Sequence, residues 1–338
     1  MLFTLSTPNY NLNIGGAFGS GSQYSLKPCR IWPNDNLDSR PLPEVVRFAR
    51  ALGNIMTPNE VIAKVKNLPA VSQAALRLVT LLDQPAVANE DVVMVLKYDN
   101  VLTAKLLRAC NSPYFGFDEK IASVEQAVLL MGHQQILHMV LSLAFGGAMS
   151  TTLPGYAIEA KQLWSHSLTT AVAAEQLIKS GIQAEVESPV AFTGGLLHDI
   201  GKLAMNQVLD ADAQKLIRDR IVQNHLSRNT AEKEILGTDH CEVGACLLET
   251  WRLPGEIVEA VLNHHHPALK PEPKLSAIVH VADCLAHLVG SAPGWESYAI
   301  MADADTNRAL GITPQWFESL MISVHDSSGQ IEHFMNLS

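Results

Sequence analysis

Apolar residues recur every three to four positions along most of this chain, and strict alternation of apolar and polar residues is nearly absent. That periodicity is typical of helices that bury one face, so we predict an all-α protein. Local signals also mark several helix starts. Asn89 is expected to cap one helix, Ser123 with Gln126 resembles a capping box, and Thr313 before Pro314 is expected to open a last helix.

The predicted helices fall into two lobes, with a different kind of segment on each side. Residues 1–57 are expected to form an irregular leader, because glycines and prolines interrupt its pattern, with one short amphipathic helix at 43–52. Residues 58–150 are expected to form an N-terminal helical lobe, and residues 151–290 a second helical lobe. Residues 291–338 are expected to form a helical tail that packs on the second lobe.

Composition and charge narrow the class of protein. The chain has 338 residues, of which 47% are hydrophobic and 17% charged, and this is enough apolar material for a sizeable core. No apolar run reaches the ~20 residues that span a bilayer, and the first residues lack the pattern of a signal peptide. The net charge of −10 argues against nucleic-acid binding through a broad basic face. We therefore expect a cytoplasmic protein that binds neither membranes nor nucleic acids.

The five cysteines include no Cys-x-x-Cys pair, and their number is odd. We interpret them as buried, reduced thiols of a cytosolic protein. Cys241 and Cys246 lie near His240, so a thiolate metal ligand is the alternative, although the candidate site described next is complete without one.

Histidines and aspartates of the second predicted lobe form the main candidate site. Imidazole nitrogens and carboxylate oxygens hold divalent first-row metals, and a buried ion needs several such groups from different helices. The candidate ligands are His166, His198, Asp199, His240, His264, His265 and Asp283. The alternative interpretation is a polar cluster that is held by hydrogen bonds and binds no ion.

The strongest local signal is the segment 194–202, in which His198 and Asp199 are adjacent. On a helix these two side chains are ~100° apart, so they can flank one ion, or Asp199 can bridge two. Lys202 lies one helical turn further on, where its cation can hold a phosphate oxygen. We therefore expect Asp199 and Lys202 to be the catalytic residues. The remaining nearby histidines, which we expect at a helix end, in the core or on the surface, are His266, His280 and His287.

His166, the pair His198 and Asp199, and Asp283 resemble the H…HD…D ligand set of HD-domain metal-dependent phosphohydrolases. The resemblance implies an all-α fold with a metal in the helical core and hydrolysis of a phosphomonoester or phosphodiester. Iron, manganese or a mixed pair suits this set of nitrogen and oxygen ligands, and zinc or nickel also fits.

The first half of the chain narrows the resemblance to the HDOD domain, which is found in bacterial signalling proteins. The segments that carry it are 68–71, 79–85, 98–116 and 123–132. The resemblance covers roughly residues 58–290, and it implies an N-terminal HDOD lobe followed by an HD-type helical bundle with a metal site in its core. It also implies a signalling role with a partner protein. Many HDOD proteins lack part of the metal set, which is unusually complete here.

His240, His264 and His265 resemble the additional ligands of the HD-GYP branch, whose members hold two or three metals and hydrolyse cyclic di-GMP. The Gly-Tyr-Pro phrase of that branch is absent, and Gln162 stands where a third-metal carboxylate is expected. We therefore expect at most two metals, and cyclic di-GMP is not the expected substrate. In this arrangement Asp199 bridges the two ions.

Three functions are compatible with these residues. The first is hydrolysis of a phosphoester or nucleotide, by water that a dinuclear centre activates. The second is a non-catalytic signalling scaffold in which the metal is structural. The third is a nucleotide sensor, in which the metal and Lys202 bind a phosphate without turnover. We favour a metal-bearing HDOD signalling protein, with phosphohydrolase activity as the function to test.

Overall fold

The computed structural model describes residues 55–65, 71–81, 87–182, 184–267, 274–294 and 304–336. Within these ranges the chain is built of α-helices, and its only β-type pairing is an isolated bridge between Leu153 and Ile158. The prediction of an all-α fold is therefore confirmed. The predicted leader up to residue 54, including its helix at 43–52, lies outside the described residues.

The described part of the first half contains five helices. They are α1 (Pro58–Lys64), α2 (Gln73–Leu81), α3 (Asn89–Lys97), α4 (Asn100–Cys110) and α5 (Val124–Met149). Helices α2, α3 and α4 all pack on α5, and they bury their apolar faces against it.

Of the two helix starts predicted in this half, one has the predicted capping hydrogen bonds and the other is shifted by one residue. The Ser123 hydroxyl accepts a hydrogen bond from the backbone N–H of Gln126, and the Gln126 side chain accepts one from the N–H of Ala122. Helix α3 begins at Asn89, with Ala88 as its N-cap, so the predicted cap position is wrong by one residue. Helix ends commonly shift by one residue, because several positions there can satisfy the free N–H groups.

Helix α5 is the longest helix of the described ranges, and it bends sharply at Gly132, whose φ of 76° is left-handed. By length and composition it is the one helix in the described ranges that is apolar enough to cross a membrane, although no apolar run of that length was expected. Just over half of its most apolar window, 56%, is buried inside the protein. A buried core helix passes the same test of length and composition, so the expected absence of a membrane partner and the cytoplasmic location stay predictions.

Among the described residues, eight α-helices lie between positions 162 and 288. They are α6 (Gln162–Lys179), α7 (Ser188–Leu197), α8 (Gly201–Met205), α9 (Ala211–Asn224), α10 (Arg228–Leu236), α11 (His240–Thr250), α12 (Gly255–Asn263) and α13 (Leu275–Leu288). Helix α6 packs along α7 and α13, and α11 packs along α8 and α12. The core of this half therefore lies where α6, α7, α11, α12 and α13 meet.

Two segments that periodicity predicts as single helices are each split in two. The predicted helix at 188–207 is interrupted by the turn at 198–200, and the one at 229–251 by a turn at 237–239. In the second turn, Gly237 has a φ of 80° and ends α10, and the Asp239 side chain caps α11. Apolar periodicity continues across both turns, because each pair of helices faces the same core.

The C-terminal helices are α14 (Ala304–Ala309), α15 (Pro314–Asp326) and α16 (Ser328–Met335). Thr313 caps α15, as predicted, by accepting a hydrogen bond from the N–H of Trp316. Helix α16 follows it, so the prediction that this helix is the last one is wrong. Both α15 and α16 pack against α6.

Helix α1 lies against the second half of the chain, although the predicted first lobe begins at residue 58. It packs against α11, and just before it the N–H of Met56 donates to the carbonyl oxygen of Leu236 at 2.7 Å. The division of the chain into a leader, two lobes and a tail stays a prediction.

Candidate metal centre

All seven predicted metal ligands meet at one place in the second half. His166 lies in α6, Asp283 in α13, and His240 is the first residue of α11. The other four lie at or beside helix ends. His198 is the C-cap of α7, Asp199 follows it, His264 is the C-cap of α12, and His265 follows it. The turn at 198–200 and the end of α12 therefore turn these side chains towards the residues on the longer helices.

The first set of donor atoms comprises His166, His198, Asp199 and Asp283. Nε2 of His166 is 3.0 Å from Oδ1 of Asp283 and 3.8 Å from Oδ2 of Asp199. Nε2 of His198 is 3.3 Å from Oδ2 of Asp199 and 3.8 Å from Oδ1 of Asp283. Nitrogen and oxygen ligands lie ~2.0–2.2 Å from ions such as zinc, so donors 3–4 Å apart are spaced to share one ion.

The second set comprises Asp199, His240, His264 and His265. Oδ1 of Asp199 is 3.6 Å from Nε2 of His240 and 4.0 Å from Nε2 of His264. Nε2 of His240 is 3.1 Å from Nε2 of His265. Asp199 therefore faces each set with a different carboxylate oxygen, which is the arrangement that a bridging ligand needs.

Four of these imidazoles are oriented by a hydrogen bond from Nδ1, so that Nε2 faces the other ligands. His166 donates to the backbone oxygen of Ser291, His198 to that of Gly195, and His264 to that of Val261. His240 donates to the carboxylate of Glu232. Each of these four distances is 2.7 Å. Such a bond fixes both the tautomer and the direction of the ring, as metal-ligating histidines require. The ring directions are set by the protein itself.

Several polar atoms of the first set are buried without a hydrogen-bond partner among the described residues. They are Nε2 of His166, Nε2 of His198, Oδ1 of Asp199 and Oδ1 of Asp283. An unsatisfied buried polar atom costs about 1–3 kcal/mol, and one bound cation would satisfy both imidazole nitrogens and Oδ1 of Asp283, whereas Oδ1 of Asp199 faces the second set. The donor set therefore fits a divalent ion in both chemistry and spacing.

The charge states of three candidate ligands suit the binding of a cation. Burial opposes ionisation of Asp199, but Lys202 and His198 lower its pKa well below the usual value. Burial likewise opposes ionisation of Asp283, but the neighbouring His166 and His287 lower its pKa. Burial, with His198 and His240 nearby, lowers the pKa of His264 to about 3. Metal ligands must be deprotonated, so these three side chains are already in the form that binds a cation.

Lys202 is almost fully buried, at 1% exposed, and its ammonium group donates to Oδ2 of Asp199 at 2.7 Å. The spacing of three residues places the two groups together, as predicted. The contact is made with Asp199, so Lys202 orients this carboxylate and balances its charge. The predicted contact between Lys202 and a phosphate oxygen stays a prediction.

Two glycines bring the ligand-bearing helices close together. A Cβ atom on Gly201, at the start of α8, would lie 1.9 Å from the carbonyl oxygen of His240 in α11. A Cβ atom on Gly195, in α7, would lie 2.8 Å from the carbonyl oxygen of Thr170 in α6. The close contacts of α8 with α11 and of α7 with α6 therefore require glycine. The first contact places Asp199 beside His240, and the second places His198 beside His166.

Sequence reasoning missed two residues of the site. Nδ1 of His287, which was expected in the core or on the surface, lies 3.0 Å from Oδ1 of Asp283, and the spacing i, i+4 on α13 was a usable signal. Glu232 holds both the backbone N–H and Nδ1 of His240, and no local pattern marks it. His280 donates to the backbone oxygen of His264, and His266 is exposed beyond the end of α12.

Comparisons with known proteins identify related chains. Residues 68–267 match the family model of the HDOD domain. An uncharacterized protein of Treponema pallidum (strain Nichols) is 24% identical over 234 residues, which is 68% of this chain and 44% of that protein. This chain therefore spans less than half the length of that relative.

Two solved structures share the fold of this chain. One is a candidate phosphohydrolase of Shewanella amazonensis, which is 26% identical, with 82% of this chain and 97% of that chain covered and a TM-score of 0.59. The other is an HDOD domain protein of unknown function from Geobacter sulfurreducens, which is 24% identical, with 86% and 97% covered and a TM-score of 0.61.

Proposed function

Because this chain belongs to the HDOD domain family, we propose that it binds divalent metal ions at its His/Asp centre and hydrolyses a phosphoester as part of a signalling pathway. The match to the family covers residues 68–267, which includes most of the proposed ligands. The similarity to a candidate phosphohydrolase of Shewanella amazonensis supports the reaction class.

The observation that carries the proposal is the position of the Asp199 carboxylate between two sets of donors. Oδ2 lies 3.3 Å from Nε2 of His198, and Oδ1 lies 3.6 Å from Nε2 of His240. His166, His198 and Asp283 would hold one ion, His240, His264 and His265 would hold the other, and Asp199 would bridge them. When bound, such a pair of ions supplies a water of lowered pKa and stabilises negative charge on a phosphoryl group.

The protein's own residues would prepare the centre for this chemistry. Lys202 keeps Asp199 ionised and fixes its orientation through the 2.7 Å contact. Glu232 holds His240, as the carboxylate partner of a metal-bound histidine does. Burial excludes water from most ligands, which strengthens every charge interaction within the site. Iron or manganese suits the nitrogen and oxygen donors, and zinc or nickel also fits.

The test combines metal analysis with turnover on the same samples. Purified protein is analysed for bound metals, then stripped with a chelator, reloaded with one metal at a time, and assayed with p-nitrophenyl phosphate and bis(p-nitrophenyl) phosphate. Asp199→Ala is expected to lose bound metal and all turnover. Asp219→Ala, which removes a carboxylate from the Lys215 ion pair on helix α9, is the matched control and is expected to retain both. Wild-type protein that binds no divalent metal would overturn the proposal.

A second candidate function is a signalling role in which the metal is structural. The observation that favours it is burial, because His166, His240 and His264 are all 0% exposed. The same experiment separates the two functions. Wild-type protein that retains metal but cleaves neither substrate, and that loses thermal stability when the metal is removed, would support the structural role. The third possibility, a nucleotide sensor, predicts binding of a nucleotide without turnover.

A further inference from the structure

The second set of donors contains a sulfur atom. Cys241 is the second residue of α11 and is 3% exposed. Its Sγ lies 3.6 Å from Nε2 of His240 and 4.0 Å from Nε2 of His264. One ligand atom from each of His240, Cys241, His264 and His265 lies within 4.8 Å of all the others. The thiol therefore belongs to the same compact group of potential ligand atoms as these three imidazoles.

An independent observation shows that this space is suited to a cation. Oδ1 of Asp199 is buried, has no hydrogen-bond partner among the described residues, and lies 3.6 Å from Nε2 of His240 and 4.0 Å from Nε2 of His264. An ionised oxygen in this position requires a positive partner. The sulfur and this oxygen approach the same two imidazole nitrogens.

We propose that Cys241 is a thiolate ligand of the second metal position, so that the two positions of the centre differ in chemistry. The inference rests on the proposed function, because it assumes that the centre binds metal. On ligation the S–H bond breaks, the proton passes to solvent, and the sulfur donates an electron pair to the ion, so no electron transfer is required.

The sulfur gives the second position a different metal preference from the first. His166, His198, Asp199 and Asp283 offer only nitrogen and oxygen donors, which suit manganese or iron. Thiolate is a softer ligand, and a site with sulfur and imidazole suits zinc, cobalt or iron(II) better than manganese. The chain is therefore expected to bind two different metals, with the softer one held by His240, Cys241 and their neighbours.

The competing interpretation is a buried thiol that only fills space. Burial, together with the charges of Asp239 and Glu232, raises the pKa of the Cys241 thiol well above its usual value, so the metal-free thiol is protonated. Cys246 provides the comparison, because it lies on the same helix, is equally buried at 1% exposed, and contacts Asn59. A thiol that only packs would behave like Cys246 when metal is added.

The experiment loads the full chain with cobalt(II) and records its absorption spectrum. Wild-type protein and Cys246→Ala are expected to show a thiolate-to-cobalt charge-transfer band, and Cys241→Ala and Cys241→Ser are expected to lose it while retaining cobalt at the first position. Circular dichroism establishes that the variants fold. X-ray absorption of zinc-loaded wild-type protein needs no variant, and it is expected to show a sulfur neighbour at ~2.3 Å, beyond the nitrogen and oxygen neighbours at ~2.0–2.2 Å.

The outcomes separate this inference from the proposed function. Cobalt or zinc binding without the band, or without a sulfur neighbour, would overturn the role of Cys241 and leave the proposed function intact. A band that persists in Cys241→Ala would also overturn it. Wild-type protein that binds neither metal would overturn the proposed function, and the ligand assignment would fail with it.

Discussion

Replacing Gly201 by alanine is expected to disrupt the centre without changing any proposed ligand. A Cβ atom at this position would lie 1.9 Å from the carbonyl oxygen of His240 and 2.7 Å from the backbone nitrogen of Gly244. Both atoms belong to the backbone of α11, so no side-chain rotation relieves the overlap. The substitution must therefore move α8 away from α11.

The size of this movement follows from the contact itself. Ordinary van der Waals contact would require the two backbones to separate by about 1.5 Å. Asp199 and His240 lie on opposite sides of this contact, and their facing atoms are now 3.6 Å apart. Overpacking of a core costs about 1–3 kcal/mol, and we expect the upper end of this range because no flexible atom can yield. Misplaced ligand support typically lowers metal affinity about 10–100-fold.

The assay measures stability and metal affinity in matched variants. The free energy of unfolding is measured by urea denaturation of the metal-free protein, and metal affinity by titration of the same samples. Gly147→Ala is the matched control, because Gly147 lies in α5 and an added Cβ atom would meet nothing within 4 Å. Alanine is a better helix former, so this control is expected to be more stable than wild type by up to about 1 kcal/mol.

Gly201→Ala protein that unfolds at the same urea concentration as wild type and binds metal with the same affinity would refute the proposed role of Gly201. Lost stability with unchanged metal affinity would mean that the crossing of α8 and α11 supports the core but does not position Asp199.

Three further predictions address other parts of the molecule. Burial, with Lys179 nearby, lowers the pKa of His138 to about 3, so the unfolded chain takes up a proton below pH ~6.5 that the folded chain does not. His138 should therefore lower the free energy of unfolding by about 1.4 kcal/mol for each pH unit between pH 6 and pH 4. In urea unfolding, His138→Leu should lose less stability than wild type as the pH falls over this range. An equal loss in the two proteins would contradict this prediction. Glu232→Gln should weaken metal binding about 10-fold while the fold persists, because the Glu232 carboxylate accepts hydrogen bonds from two N–H groups of His240. An unchanged metal affinity in a titration would contradict this prediction. Removal of metal by a chelator should lower the free energy of unfolding by about 2.7 kcal/mol relative to protein at a free-metal concentration 100-fold above Kd. A melting temperature that is the same with and without the chelator would show that no metal is bound.

Most of the fold could be predicted from periodicity, because each long helix buries one face. Periodicity alone did not predict the breaks at 198–200 and 237–239, since the apolar pattern continues through them and only the backbone changes direction. Gly237 before a capping Asp239 was a readable local signal, whereas the turn at His198 has ordinary right-handed dihedral angles and no glycine. The packing of α1 on α11 was also beyond prediction, because it joins segments that are far apart in sequence.

The grouping of the candidate ligands could be predicted because histidine and aspartate are rare in apolar helices, and the structure brings all seven together. Their role as metal ligands stays a prediction. Glu232 and Gly201 could not be assigned, since their importance appears only when α10 and α8 are placed against α11. Cys241 was set aside because the ligand set was complete without it, and sequence adjacency did not show that its sulfur faces the imidazoles of His240 and His264.

The arrangement of the cluster argues that it is functional. Buried groups such as Asp199 and Asp283 reduce stability unless their charges are matched, and apolar side chains of similar size would give a core at least as stable. Yet the ring directions of four histidines are fixed by hydrogen bonds that their Nδ1 atoms donate to four different parts of the chain, at Ser291, Gly195, Val261 and Glu232. Here Nδ1 of each of the four rings is bonded outwards and Nε2 faces the other candidate ligands, and this geometry supports the proposal that the site binds a cation.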